Sequence, residues 1–238
     1  MKYKLHIPCA SRPDLLAKAV DSLRLIGNMH IWWGAGEVPP EVYMIPGVDH
    51  HDPGVVSCVS LYNMCLHASR DDDVVFMAHN DIECHRDVAK RFYDSVYEIF
   101  ERGEKWGAVF QHYDVLAAFN MKAIREVGPW DTMYFQYHAD VDYYHALRKA
   151  GWKETYVGKP EEITHHGSSS VKSDPLFNFR TQFRSRSRFD LEYYNMKWGG
   201  YVGQERFSRP FESFDPVRDN YENRHKRRVS WRGPGTRA

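Results

Sequence analysis

Asp71-Asp72-Asp73-Val74-Val75-Phe76-Met77-Ala78-His79-Asn80-Asp81-Ile82-Glu83 is the stretch whose reading decides the fold. Val74 to Ala78 is a short, unbroken apolar run. It has neither the length of an ordinary helix nor the polar alternation of a half-exposed strand, so it reads as a strand buried on both faces. In open α/β sheets ligands bind at the carboxyl ends of strands, which gives the polar turn His79 to Glu83 a functional position. Asp81 and Glu83, one residue apart, can both turn towards one hard divalent cation, which takes oxygen ligands and keeps positions open for phosphate. A solvated acidic turn is the bland alternative, because Asp-x-Glu is common by chance.

Outward from this strand, apolar runs alternate with helical spacing. Lys4 to Pro8 reads as a buried strand. Ser11-Arg12-Pro13-Asp14 opens a helix, with Ser11 as N-cap, Pro13 in the first turn, and Leu15, Leu16, Ala19, Val20 and Leu23 along one face. Further strands are expected at His30 to Trp33, Val42 to Ile45, Gly107 to Phe110, Val115 to Phe119 and Thr155 to Val157. Helices are expected at Val55 to Ala68, Val88 to Phe100, Met121 to Val127 and Asp140 to Ala150. Such alternation predicts a mixed, mostly parallel Rossmann-like sheet flanked by helices. Beyond about Asp174, Arg, Phe, Tyr and Trp interleave with little periodicity. The predicted organisation is a domain over residues 1–174 and an irregular basic and aromatic extension over 175–238, an acceptor-binding lobe or a lid.

The 238 residues suit one domain with an elaborated tail, and 42% hydrophobic against 27% charged residues is a globular balance. No apolar run approaches the ~18 residues of a membrane span. The opening residues read as a strand and not as a signal peptide. Cys9, Cys58, Cys65 and Cys84 form no CxxC pair, which argues against a zinc knuckle or disulfide framework and points to a reducing, cytoplasmic setting. The net charge of zero is unevenly spread: residues 175–238 carry 14 Lys/Arg against 7 Asp/Glu, leaving 18 against 25 for residues 1–174. An acidic body with a basic tail suits a metal with an anionic partner, or a tail that neutralises its own body.

Two further clusters carry chemistry. Tyr137-His138-Ala139-Asp140-Val141-Asp142 leads into a helix, and a carboxylate at a helix start is fixed by backbone amides and the helix dipole. Asp140 is thus placed either as a general base or simply as an N-cap, worth about 1 kcal/mol. Ile163-Thr164-His165-His166-Gly167-Ser168-Ser169-Ser170 leaves another strand. A histidine there suits a metal and Lys172 suits a phosphate, against the alternative of two surface histidines.

Taken in order, these landmarks resemble the GT-A glycosyltransferases of family 2 across residues 3–172. Leu5-His6-Ile7-Pro8 followed by Ser11-Arg12-Pro13-Asp14-Leu15-Leu16 resembles that family's opening strand and helix, which cradle the nucleotide. Leu61-Tyr62-Asn63 resembles the helix whose Asn precedes the metal strand, and Val74 to Glu83 the apolar strand with its DXD motif. Gly128-Pro129-Trp130-Asp131, then Ala139-Asp140-Val141-Asp142 with Arg148-Lys149-Ala150-Gly151, resembles the acceptor-side "G-P-F-D … E-D-V-D … R-x-x-G" pattern. His165-His166-Gly167-Ser168 resembles the late His-Gly-Ser motif.

The resemblance implies a metal-dependent, inverting transferase using a nucleotide-diphosphate sugar, with UDP favoured. Asp81 and Glu83, completed by His165 or His166, would hold Mn²⁺ or Mg²⁺. Pro8, Arg12, Asn63, Asn80, Asp81 and Lys172 would line the donor, and Asp140 would be the base. The family's acid at the end of the second strand is missing, since Trp32-Trp33-Gly34 stands there. Base recognition then falls to stacking on Trp33 or to an acid such as Asp49 or Asp52. The Glu of the "E-D" pair is replaced by Ala139. No P-loop or G-x-G-x-x-G occurs, against an NTPase or dehydrogenase. The basic, aromatic tail leaves the acceptor open between a saccharide and a hydroxymethylated pyrimidine flipped out of DNA. A non-catalytic nucleic-acid-binding module on a degenerate transferase fold is the reading from another class.

Overall fold

The computed structural model describes residues 1–54, 57–134, 137–166 and 179–212, with the side chains of 179–187 excepted. The chain divides into two compact units, Met1–Asp190 and Leu191–Ala238. In the first, strands β1 (Tyr3–Cys9), β2 (Met29–Trp33), β3 (Val48–His51), β4 (Val74–Ala78), β6 (Trp106–Phe110), β7 (Leu116–Asn120) and β8 (Lys153–Tyr156) form one sheet in the order β3-β2-β1-β4-β7-β6-β8. β1, β2, β3 and β4 run parallel; β7 is antiparallel to both β4 and β6; β8 is parallel to β6. This is the expected mixed, mostly parallel sheet. Two three-residue strands, β5 (Ile82–Cys84) and β9 (Ile163–His165), pair separately and antiparallel.

β4 sits centrally, and all five of its residues are buried, as its continuous apolar run requires. One face of the sheet, with Leu5, Ile7, Ile31 and Phe76, packs in a single core with Leu16, Val20 and Leu23 of α1 (Pro13–Leu23) and Phe92, Val96 and Ile99 of α4 (Val88–Glu101). Each such buried side chain contributes roughly 1.5–3 kcal/mol relative to exposure. On the other face, Phe110 and Phe119 meet Tyr143 and Tyr144 of α6 (Ala139–Lys149) edge-on or stacked. There α3 (Cys58–Ala68) follows the Ser57 cap, whose hydroxyl accepts from the Ser60 amide at 3.1 Å, and α5 (Met121–Val127) is capped by Asn120.

Three expectations need correction. Val42 to Ile45 is not a strand: Pro39-Pro40 opens a short helix, α2 (Pro40–Tyr43), and the third strand lies further on at Val48–His51. Proline at the first helical position presets the helical φ, and Val42 and Ile45, three apart, bury the same helical side. Ser11 is not the cap of α1; Arg12 occupies that position in the left-handed conformation at φ 60°, and no side chain caps the helix. The stretch read as lacking periodicity includes a helix, α7 (Phe179–Trp198).

In the second unit, Tyr194 and Trp198 are buried and Gly199 ends the helix at φ 72°. The Trp198 carbonyl accepts from the amides of Arg206 and Phe207, both at 3.1 Å, and the Tyr194 hydroxyl donates to Glu205. A side chain at Gly199 would strike the Phe207 ring, so only glycine fits this turn.

Topology gathers the chemistry on one edge. β1, β2, β4, β6 and β8 all end there, and the hairpin between β6 and β7 turns there. α6, which runs back before β8, starts there.

Candidate active site

At the end of β4 the chain leaves through His79, whose amide donates to the Val115 carbonyl at 2.9 Å. Asp81 follows and is only 4% exposed. The β5–β9 ladder pairs Ile82 with His165 and Glu83 with Thr164, bringing the late histidines onto the acidic turn. His165 Nε2 lies 3.3 Å from Asp81 Oδ1, and the His79 and His165 rings meet edge-on with centroids 5.7 Å apart. His79, Asp81 and His165 each offer a donor atom within 4.8 Å of the others. Next to them, His166 Nε2 stands 2.7 Å from Glu83 Oε1, which also takes Lys18 Nζ at 3.3 Å. The His166 amide donates to the Asp81 carbonyl at 2.9 Å, locking the two turns together.

The electrostatics of this cluster favour metal-ready protonation states. Burial acts to raise the Asp81 pKa, but the hydrogen bond and charge of His165, with His79 behind it, outweigh burial and hold it below the usual range. Glu83 is lowered by its hydrogen bonds to His166 and then Lys18. Burial pushes His79 down to about 4, against the pull of Asp81, so its ring stays neutral and keeps a lone pair. A carboxylate with two imidazoles suits a borderline divalent ion such as Mn²⁺ better than Mg²⁺, which prefers oxygen throughout. His79 was missed as a ligand from sequence. Its signal was there, in the His-x-Asp spacing at a strand end.

On the other side of the edge is Asp140, second residue of α6 and half-buried. It is not the N-cap: His138 holds that position at φ 63°, without a side-chain cap. Arg12 and His138 are thus both non-glycine residues with positive φ, each directly before a helix that opens onto this edge, and such strained positions gather at functional sites. Asp142, the neighbouring candidate, is buried and accepts from the Tyr134 hydroxyl at 3.1 Å. It therefore acts in the fold, while Asp140 keeps access. Around Asp140 stand Cys58, Tyr62, Tyr113, Tyr137 and Tyr144, each raised in pKa, chiefly by burial except at Tyr113, where the Asp114 charge comes first. Asp114, in the β6–β7 hairpin, is a second residue that sequence reading missed; a single Asp in a short hairpin gave no signal.

The residues expected along the donor divide. Pro8 lies in β1 opposite Trp32. Arg12 forks onto Asp14 through Nε and Nη2 at 2.7 and 2.6 Å. Asn80 donates to the Ser11 carbonyl at 2.9 Å and so joins the exit of β4 to the entry of α1. Asn63 donates to the Trp130 carbonyl and accepts from its amide, both at 2.9 Å, and so clamps the Gly128 to Asp131 segment. Trp130 itself is stacked between Tyr62 and Tyr143. Lys172 lies outside the described residues. Stacking on Trp33 needs correction: strand alternation turns it into the core, 5% exposed. Its neighbour Trp32 faces the other way and stacks on His51, with centroids 4.1 Å apart. Asp49 approaches His30 at 3.4 Å, and Asp52 accepts from the Gly54 amide at 3.0 Å.

Sheet order and the flanking helices match the GT-A fold. Among solved structures, the chain is similar to glucosyl-3-phosphoglycerate synthase of Mycobacterium tuberculosis, in complex with Mn²⁺, UDP-glucose and phosphoglyceric acid. The TM-score is 0.55 at 10% identity, over 79% of each chain. It is also similar to a mannosyltransferase of Pyrobaculum calidifontis in complex with GDP-mannose and Mn²⁺, with a TM-score of 0.51 at 10% identity over 66% of this chain and 55% of that one. In sequence, it is 34% identical over 76 residues to N-acetylglucosaminyl-diphospho-decaprenol L-rhamnosyltransferase of M. tuberculosis, which is 32% of this chain and 24% of that protein. The match thus spans about a quarter of the length of the curated relative. No family profile matches the chain. Among the described residues, no helix is long and apolar enough to cross a membrane.

Proposed function

We propose that this protein is a metal-dependent glycosyltransferase that moves a sugar from a nucleotide-diphosphate sugar, UDP-sugars first, onto an acceptor hydroxyl with inversion. The observation that carries this reading is the convergence of His79, Asp81 and His165 on the edge of a GT-A sheet, with Asp140 opening onto the same edge. His79, Asp81 and His165 would hold the ion, with Glu83 and His166 beside them as support or as further ligands. A divalent ion there supplies positive charge against the diphosphate as it leaves. Arg12, at the start of α1, and the amides of that helix would meet phosphate oxygens.

The protein's own groups do the rest. Asp140 accepts the proton of the acceptor hydroxyl as its oxygen attacks the anomeric carbon, while the bond to the diphosphate oxygen breaks and takes its electron pair. Around Asp140, the exposed Tyr113 and the half-buried Tyr62, Tyr137 and Tyr144 would offer flat faces suited to a sugar ring and limit water for the competing hydrolysis. Residues 175–238 supply the acceptor lobe or lid on the strength of their basic and aromatic composition. The DNA-acceptor reading finds no support among the described residues or the similar structures, and a binding-only module leaves the ligand set and the base without purpose.

The test is removal of the metal. Chelation with EDTA should abolish release of UDP from UDP-glucose, or of GDP from GDP-mannose, and Mn²⁺ should restore it better than Mg²⁺. Equal turnover in EDTA would remove the metal from the reaction.

A further inference from the structure

Asp114 has no part in the function as proposed, yet its surroundings are unusual. It sits in the tight β6–β7 hairpin, on the edge where the central strands end. Its Oδ2 accepts from the Tyr144 hydroxyl at 3.2 Å. Its Oδ1 is buried and meets no donor among the described residues. The group whose charge bears most on Asp114 is another acid, Asp140, at the start of α6. Two ionised carboxylates repel each other there. Left as it stands, a buried acceptor without a donor is destabilising, and like charges add to it. One proton between the two acids removes both costs.

We infer that Asp114 is a positioning residue of the active site: it carries the proton that bridges the two carboxyl groups and so orients Asp140 to take the proton of the acceptor hydroxyl. This rests on Asp140 as base. The other groups facing Asp114 fit a single shared proton. From α3 come Cys58 and Tyr62, from α6 Tyr144, from β8 Tyr156, and from its own hairpin Tyr113. All have raised pKa values and stay neutral near pH 7. Burial, then the Asp140 charge, raise Asp114 to about 7, against the Tyr144 hydrogen bond. The charge of His165 on β9 also opposes this rise. Asp114 keeps its proton through the reaction. The acceptor proton goes to Asp140 and leaves to solvent afterwards, so nothing else is consumed.

The arrangement resembles other acid pairs in which crowding keeps one carboxyl protonated near neutrality so that it donates a hydrogen bond. Above pH 7 the bridge is lost, the two charges repel, and the base is no longer held.

Two measurements test this. Carboxyl ¹³C NMR on the intact protein, with Asp114→Asn to assign the signal, should show Asp114 titrating near 7 and moving down in Asp140→Asn. Titration of Asp114 in the ordinary carboxylate range would overturn the bridge. In Mn²⁺-dependent hydrolysis of UDP-glucose, with water as acceptor, Asp114→Ala should lower kcat about 10–100-fold with donor KM unchanged. Asp114→Asn, whose amide still donates, should stay within about tenfold of wild type and lose the decline above pH 7; these scales follow from loss or retention of one oriented contact. Circular dichroism checks that the Ala variant folds, and the Asn variant carries the test if it does not. Wild-type kcat in both variants, with Asp140→Asn crippled, would sink the Asp114 role alone. An active Asp140→Asn would instead sink the base on which it rests.

Discussion

Two sets of carboxylates lie on the same edge of the sheet in opposite electrical company. At the end of β4, Asp81 and Glu83 each have a histidine partner, and both are held below their usual pKa. At the start of α6, Asp140 has another acid beside it, and Asp114 is pushed up to about 7. The residue type is the same; the neighbours differ. On the proposed reading, one side stays negative to receive a cation and the other shares and moves a proton. A transferase acting on a diphosphate leaving group needs both, and topology supplies them because β4, β6 and the start of α6 meet at one edge.

The largest expected effect is on the proton side. Asp140→Asn keeps size and removes the proton acceptor, and should lower turnover roughly 10²–10⁴-fold, the usual scale for a general base. Donor binding should hardly change. Steady-state kinetics with separate donor titration checks it, and a mild Asp140→Asn beside a crippling Asp142→Asn would place the base on the wrong carboxylate.

The cation side should respond in affinity. His79→Ala removes a proposed ligand and should weaken Mn²⁺ by at least roughly 10–100-fold, the range seen even for groups that only support a ligand. Isothermal titration calorimetry with Mn²⁺ alone reads this. An unchanged affinity would return the site to Asp81 and Glu83 alone.

Smaller effects concern stability. Asp142→Asn weakens the buried contact from Tyr134 and should cost about 1–3 kcal/mol, with kcat nearly unchanged; urea unfolding measures it. pH separates the two sets by sign. Asp81 and Glu83 have depressed pKa values in the folded state, so their stabilisation is present above the unfolded carboxylate range and is lost as pH falls through the folded values. Asp114 is raised, so the folded state binds the extra proton and stability declines as pH rises from about 4 through about 7. Asp114→Asn should therefore gain on wild type across that interval in thermal melts. A constant difference with pH would contradict the assignment.

How much the sequence disclosed follows from range. The buried strand Val74 to Ala78 was plain because burial on both faces leaves only apolar residues. α1 and α4 were plain because each packs one apolar face on the sheet. β5 and β9, three residues each, are too short to carry a period, and they exist because they pair with each other. α2 was read as a strand because Val42 and Ile45 fit either element until Pro39 and Pro40 are weighed. At the site, Asp81, Asp140 and His165 were legible from local motifs. His79 was overlooked beside two acids. Asp114 could not be found at all: its role depends on a hairpin meeting a helix start twenty-six residues on, a contact made only by the fold.

The acidic turn after β4 is proposed to hold a nucleotide diphosphate through a metal. Thermal unfolding of the wild type and of Asp81→Asn with UDP-glucose, in Mn²⁺ and in EDTA, tests it most directly. A ligand at a hundredfold excess over its Kd stabilises by about 2.7 kcal/mol, a shift of several degrees. This shift is expected for the wild type in Mn²⁺, and its loss both in EDTA and in Asp81→Asn. An equal shift in EDTA, or in Asp81→Asn with Mn²⁺, would contradict it.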